Sequence, residues 1–183
     1  PKFDYKLAWM RRLQQHARSL VALPHPVALI GDFNVVPTDA DIYDPKGWRK
    51  DALLQPESRQ AFAELLAQGW TESLGSVHAE GAPYTYWDFF RQHFARDRGL
   101  RIDHLLLNPA LAAGLHDAGV DRWVRALESP SDHAPTWARV RVPAARKQVG
   151  AKAATTRRGR PRTQPPDPEP TRGRARTRRS EAG

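Results

Sequence analysis

The last 40 residues of the chain, from Ala144 to Gly183, constrain its folding more than any other feature. They contain no Phe, Tyr, Trp, Leu, Ile or Met, but they hold five prolines and 12 Lys and Arg against 3 Asp and Glu. Such a segment cannot bury enough apolar surface to offset the entropy that ordering costs. The sequence therefore predicts one domain over residues 1–143 and a disordered basic tail over residues 144–183.

This tail also carries all of the excess positive charge. The whole chain has 29 Lys and Arg against 20 Asp and Glu, which is a net charge of +9. Without the 12 basic and 3 acidic residues of the tail, 17 of each sign remain, so the body is neutral. A neutral body with a cationic tail predicts a polyanionic partner.

Residues 1–143 alternate helical and strand patterns, which predicts an α/β (α+β) fold. The predicted helices cover Asp4–Val21, Pro56–Gln68 and Ala110–Leu115, and the predicted strands cover Pro26–Ile30, Tyr84–Phe90, Arg101–Leu107, Val120–Val124 and Thr136–Val142. No run of about 18 apolar residues is present, so we expect no membrane-spanning helix and no membrane partner. The absence of cysteine excludes disulfides and a thiol nucleophile.

Asp32 and Asn34 follow the apolar run of the first predicted strand, in Gly31-Asp32-Phe33-Asn34. Their spacing of two puts both side chains on one face of an extended backbone. The carboxylate can hold a cation or take a proton from water, and the amide can donate to a phosphoryl oxygen. A turn at the end of the strand, where Gly, Asp and Asn are common, explains the same residues without chemistry. Both interpretations stay open at this point.

Asp103 lies inside a strongly apolar segment, where a charged group needs a partner. Arg101, two residues away, is one candidate. His133, just before the last predicted strand, is the other, because a carboxylate that accepts a hydrogen bond from an imidazole fixes its tautomer and raises its basicity. The sequence leaves both pairings open.

Four segments, in this order, resemble the exonuclease III family of AP endonucleases, within the endonuclease/exonuclease/phosphatase superfamily. They are Gly31-Asp32-Phe33-Asn34, Tyr84-Thr85-Tyr86-Trp87-Asp88, Arg98-Gly99-Leu100-Arg101-Ile102-Asp103 and Pro130-Ser131-Asp132-His133-Ala134-Pro135. The second and third segments are more particular to the DNA-repair branch than the other two. The resemblance implies a four-layered α/β sandwich, with two β-sheets face to face and helices outside, of which this chain forms the C-terminal half.

The same resemblance implies Mg²⁺-dependent hydrolysis of DNA phosphodiester bonds in base-excision repair, with Mn²⁺ as the alternative metal. Asp32 resembles the residue that activates the attacking water, and Asn34 resembles the amide that stabilises the transition state. Asp103 and His133 resemble the catalytic dyad. The metal ligands that the resemblance implies are Asp32, Asn34, Asp132 and His133, and the residues that line its pocket for the abasic sugar are Tyr86, Leu100 and Ile102.

The family pattern also has an N-terminal half, with a Glu metal ligand, an Asn and a Tyr, that has no counterpart in this sequence. We therefore expect the chain by itself to be poorly active. The implied partner is double-stranded DNA with abasic sites or 3′ ends, bound by a monomer in the bacterial cytoplasm or nucleoid.

In the tail, Arg157-Arg158-Gly159-Arg160-Pro161-Arg162 resembles an AT-hook, in which arginines reach into a narrow A·T minor groove. The resemblance implies that Arg157, Arg158, Arg160 and Arg162 bind DNA. A plain polybasic tail that binds by counterion release explains the same residues. The alternative function is then a non-catalytic DNA-binding remnant that acts through its tail, and a superfamily phosphatase is a third possibility.

Overall fold

The structure, a computed structural model, describes residues 2–142. The tail therefore lies outside the described residues, and the domain boundary at residues 143 and 144 stays a prediction. The helices are α1 (Lys2–Val21), α2 (Pro56–Leu66), α3 (Ser73–Val77) and α4 (Pro109–Ala112), the strands are β1 (Ala28–Asp32), β2 (Thr71–Glu72), β3 (Asp103–Leu107), β4 (Leu115–Val120) and β5 (Thr136–Val140), and short 3₁₀ turns cover Asp39–Asp41, Phe90–Gln92 and Arg122–Ala126. The predicted mixed α/β class is confirmed.

The apolar strand β3 is the centre of a three-stranded antiparallel sheet in the order β1-β3-β2. β1 pairs with it along its whole length, from Ala28 opposite Leu107 to Asp32 opposite Asp103. The strands β4 and β5 form a second, two-stranded antiparallel sheet.

Helices α1 and α2 cover one face of the three-stranded sheet. The first helix presents the buried residues Met10 and Ala17, one apolar stripe of an amphipathic helix, and α2 presents Phe62 and Leu65. Together with Leu106 of β3 they form the main core cluster. No helix in the described residues is long and apolar enough to cross a membrane.

Two predicted strands are wrong. Tyr84–Phe90 contributes only the bridging residue Tyr86, because the Asp88 carboxylate accepts a hydrogen bond from the Phe90 backbone N–H and turns the chain immediately afterwards. The second wrong strand is Val120–Val124, where β4 ends at Val120 and a 3₁₀ turn follows. The apolar residues of that turn do not all face a core, since Trp123 is 64% exposed.

Arg101 lies just before β3 and forms a buried ion cluster with Asp41 and Glu72. Its Nε is 2.7 Å from Asp41 Oδ1 and its Nη1 is 2.6 Å from Glu72 Oε2, and all three side chains are at most about one-tenth exposed. Burial opposes the ionisation of Glu72, but His104 and Arg101 beside it hold its pKa below the usual range. Because Glu72 also accepts the N–H groups at the start of α3, one guanidinium connects the sheet, a loop and a helix.

We expect Arg101→Met to lower the free energy of unfolding by about 3–5 kcal/mol, because it leaves two buried carboxylates without their cation. Urea denaturation measures the change. The matched control is Arg139→Met, which breaks the exposed pair with Asp117 and should cost about 1 kcal/mol or less. Equal losses for the two variants would show that the buried cluster has no special role in stability.

Candidate active site

Asp32 and Asp103 occupy opposite positions at the ends of β1 and β3. Directly opposed residues of antiparallel strands project from the same face, so the two carboxylates are neighbours. Gly31, with φ of 151°, adopts backbone geometry that L side chains rarely reach, and it delivers Asp32 to the sheet end. Burial raises the pKa of Asp32, and the Asp103 charge adds to this, whereas the Asn34 backbone N–H opposes the shift.

Asn34 closes a tight turn on Asp32. Its backbone N–H donates to Asp32 Oδ1 at 2.7 Å and its side-chain amide donates to Asp32 Oδ2 at 3.0 Å. The residue has φ of 51°, a left-handed conformation that Asn tolerates better than most residues. The turn that was one of the two interpretations of this sequence is therefore present in the structure. The bond to Asp32 Oδ2 uses one of the two side-chain amide hydrogens of Asn34 and leaves the other free to donate.

His133 Nδ1 lies 2.8 Å from Asp103 Oδ2, so the predicted dyad is present as a direct hydrogen bond. The competing pairing of Asp103 with Arg101 is wrong, because Arg101 is held by Asp41 and Glu72. The Asp103 hydrogen bond raises the pKa of His133 although partial burial opposes it. With Nδ1 directed to Asp103, the imidazole keeps Nε2 for a substrate atom.

Thr85 positions the dyad and was missed as a functional residue. Its buried hydroxyl accepts the backbone N–H groups of both Ile102 and Asp103 at 3.1 Å. Its carbonyl accepts the N–H of Ala134, the residue after His133, at 2.8 Å. One residue thus fixes the backbone on both sides of the Asp103–His133 bond. A lone Thr in an aromatic segment gives no sequence signal of this role.

Lys6 of α1 also reaches the site and was missed. Its ammonium donates to the Asn34 and Ala52 carbonyl oxygens. Burial lowers the pKa of Lys6, while the charges of Asp51 and Asp32 oppose that shift. The sequence does contain a signal, because Lys6 lies four residues before Met10, on the stripe of α1 that faces the core.

The other predicted residues lie around the dyad. Tyr86 bridges to His133, with the two ring centroids 5.0 Å apart, and the carbonyl of Asp132 accepts the N–H of Trp87. Leu100 and Ile102 are 0% and 4% exposed and belong to a second core cluster, so they lie beneath Tyr86 and do not line an open pocket. The four tail arginines, Arg157, Arg158, Arg160 and Arg162, lie outside the described residues.

The predicted metal ligands do not form a metal site by themselves. Among residues 2–142 no three His, Asp or Glu side chains are placed to hold one ion. Both oxygens of Asp32 already accept hydrogen bonds from Asn34. The side chains of Asp32, Asn34, Asp132 and His133 therefore do not fit a complete Mg²⁺ site, and we assign no chemical step to a metal.

Comparison with protein families matches residues 1–133 to the endonuclease/exonuclease/phosphatase family. Among curated proteins, the chain is 33% identical over 144 residues to an exodeoxyribonuclease III of Haemophilus influenzae, a match that covers 75% of this chain and 54% of that protein. The chain spans about half the length of the curated relatives it matches.

Solved structures show the same relationship. A 3′ phosphatase from Neisseria, NExo, bound to a product DNA hairpin is 46% identical with a TM-score of 0.74, over 77% of this chain and 55% of that one. An AP endonuclease from Archaeoglobus fulgidus is 30% identical with a TM-score of 0.74, over 78% of this chain and 56% of that one.

We expect Asp103→Asn to lower the pKa of His133, because the hydrogen bond to a carboxylate is the main cause of its elevation. An NMR pH titration of the His133 imidazole measures the change, with Asp117→Asn on β4 as the control. The wild-type folded pKa lies above the unfolded value of about 6.5. The stability from this bond is therefore fully present below that pH and is lost as the pH rises through the folded pKa. An unchanged titration in Asp103→Asn would contradict the dyad.

Proposed function

Because the chain belongs to the endonuclease/exonuclease/phosphatase family, we propose that it contributes Asp32, Asn34, Asp103 and His133 to a centre that hydrolyses DNA phosphodiester bonds in repair. The observation that carries this proposal is the 2.8 Å bond between Asp103 and His133 next to the opposed carboxylate of Asp32. The named relatives, an exodeoxyribonuclease III and AP endonucleases, support DNA as the substrate class.

The chemistry that we assign divides between a base and a hydrogen-bond donor. Hydrolysis adds one water across one P–O bond: the water oxygen bonds to phosphorus, and the bond from phosphorus to one sugar oxygen breaks. The sugar oxygen keeps the electron pair of that bond and becomes a hydroxyl by taking a proton from solvent water. Asp32 takes the proton of the water, a role that its raised pKa suits because a stronger base accepts a proton more readily. His133, whose pKa is also raised by its hydrogen bond to Asp103, holds a proton more readily than a free imidazole and donates to a phosphoryl oxygen.

Asn34 supplies the second donor to the phosphoryl group through its free amide hydrogen. Asp103 does not meet the substrate in this scheme, because its Oδ2 is directed to His133 and its backbone is held by Thr85. It orients the imidazole and stabilises its protonated form. Tyr86 borders the imidazole and is the member of the predicted sugar pocket that remains partly exposed.

For the whole protein we propose Mg²⁺, with Mn²⁺ as the alternative, and duplex DNA with abasic sites or 3′ ends as the substrate. These residues alone do not complete a metal site. The expected location of a monomer acting on DNA is the bacterial cytoplasm or nucleoid.

The second candidate is DNA binding without catalysis, through the tail. The observation that favours it is the separation of charge, since residues 144–183 hold 12 basic and 3 acidic residues while the rest of the chain is neutral. Arg157, Arg158, Arg160 and Arg162 are the proposed contacts, either as an AT-hook or as part of a plain polybasic segment.

We expect His133→Ala and Asp32→Asn each to lower the cleavage rate by about 10²–10⁴-fold, because each removes a positioned acid–base or electrostatic group. Cleavage of a duplex with one abasic site is measured with the wild-type protein and with each variant. The matched controls, His116→Ala and Asp117→Asn, change the same residue types on β4 and should keep full activity. Full activity of His133→Ala and Asp32→Asn would refute the proposed centre.

We expect deletion of residues 144–183 to weaken binding to intact and abasic duplexes equally. If about half of the 12 basic residues neutralise phosphates, counterion release adds a slope of roughly −5 to log K against log salt. Fluorescence anisotropy between low and moderate salt measures that slope in the two forms. An unchanged affinity and slope would show that the tail does not bind DNA, and a loss of the AP-site preference alone would assign it to specificity.

A further inference from the structure

An open cavity of about 920 Å³, lined by residues from the segments 43–48 and 88–98, is not used by the proposed mechanism. Its volume is in the range of small-ligand sites. Six of its lining residues carry the argument: Tyr43, Trp48, Arg91, His93, Arg96 and Arg98. Tyr43 follows Ile42, which bridges to Leu100, and Leu100 in turn bridges to Tyr86 of the site. Because Tyr86 also bridges to His133, a series of backbone bridges connects the segment that lines the cavity to the dyad.

His93 gives the first sign of a missing ligand. It is 8% exposed, yet its Nδ1 has no hydrogen-bond partner among the residues that the structure describes. A buried polar atom without a partner costs free energy, so such atoms are rare in folded proteins. The His93 ring lines the cavity and packs edge-on against Tyr43, with centroids 5.4 Å apart.

The charges of the cavity point to an anion. In the described part of the chain, no carboxylate lies within salt-bridge distance of Arg91, Arg96 or Arg98. Three aspartates also line the cavity. Asp97 is paired with Arg122, whereas Asp44 and Asp88 accept only the N–H groups of Gly47 and Phe90 and keep their charge. Among the described lining residues, the three unpaired arginines therefore exceed the unpaired aspartates by one.

The aromatic residues of the cavity point to a flat ring. Trp48 donates its indole N–H to the hydroxyl of Tyr43 at 3.1 Å, which holds the two rings in a fixed edge-to-face pair. Arg98 lies over the Tyr43 ring, with its guanidinium carbon 5.9 Å from the centroid. Rigid aromatic side chains beside arginines bind bases by stacking and phosphates by paired hydrogen bonds.

We propose that this cavity binds one nucleotide, with its phosphate on Arg91 and Arg96, its base against Tyr43 and Trp48, and a polar group satisfying His93. The nucleotide is either a free deoxynucleoside monophosphate or an unpaired unit of a DNA strand, since both present the same phosphate and base. The strand source rests on the proposed function, whereas binding of the free nucleotide does not.

The test is titration of the 183-residue chain with dAMP at moderate salt, by calorimetry and by NMR shifts of His93 and Tyr43. Arg91→Ala combined with Arg96→Ala should weaken dAMP binding by about 100-fold, because each of the two guanidinium–phosphate contacts is worth about tenfold. The matched control is Arg11→Ala combined with Arg12→Ala, which removes the same charge from the exposed face of α1. Less than a twofold change is expected there.

Two further measurements separate a ligand role from a structural one. His93→Phe keeps an aromatic ring at this position but removes the unpartnered nitrogen. It should weaken dAMP binding while leaving Tm unchanged or higher, because no hydrogen bond of Nδ1 is lost. Inorganic phosphate alone should bind more weakly than dAMP. Equal affinities for phosphate and dAMP, or unchanged dAMP binding in either cavity variant, would overturn the proposal.

Failure of this proposal can be told apart from failure of the proposed catalytic centre. The variant His133→Ala should bind dAMP like the wild type, and loss of binding in that variant would place the nucleotide at the dyad and overturn the cavity assignment. A single-stranded tetranucleotide supports a strand as the source if it binds more tightly than dAMP and loses that gain in the Arg91 and Arg96 variant. Equal affinity of the two probes supports the free nucleotide.

Discussion

The position of the candidate site depends on one buried arginine held between two carboxylates. Asp41 follows β1, Glu72 ends β2 and Arg101 precedes β3, so a single guanidinium joins the segments that flank all three strands. Burying three charges is unfavourable unless every remaining lone pair finds a donor. Here further donors are present, because Asp41 also accepts hydrogen bonds from Thr38 and Glu72 accepts those of the first turn of α3. Arg101 lies two residues before Asp103, so the cluster fixes the backbone position from which the Asp103 side chain reaches His133.

In the described part of the candidate site, unlike in the Arg101 cluster, the carboxylates have no buried arginine between them. The carboxylates of Asp32, Asp103 and Asp132 are all close enough to influence His133, and the ammonium of Lys6 is half-buried and bound to the carbonyl oxygens of Asn34 and Ala52. Such a site repels a phosphodiester unless further positive charge is supplied. That imbalance gives a physical reason why the proposed hydrolytic centre would need cations beyond those that residues 2–142 bring together.

Much of the site could be predicted from the sequence, because strand patterns and short polar motifs are local signals. The apolar run before Asp32 predicts its place at a strand end, and the rule that charges in apolar strands need partners limits the partner of Asp103 to Arg101 or His133. The buried ion cluster of Arg101 could not be predicted from the sequence, since Asp41 and Glu72 lie 60 and 29 residues away from Arg101. The aromatic run after Tyr84 predicted a strand because its turn is formed by a side chain, not by glycine or proline. Thr85 acts through its backbone and hydroxyl, which leave no pattern.

The pairing of Asp32 with Asp103 sets an unequal tolerance to changes in chain length. Seventy residues separate the two strand ends, and the exposed loops among them can gain or lose residues without moving either carboxylate, provided that Asp41, Glu72 and Thr85 keep their contacts. Within β1 or β3, however, one inserted residue would turn every later side chain to the other face of the sheet. An insertion within β1 would place Asp32 on the face opposite Asp103, and an insertion within β3 would turn the core residue Leu106 away from the helices. Length variation among natural or designed versions of this domain should therefore accumulate in the long connection and avoid the two five-residue strands.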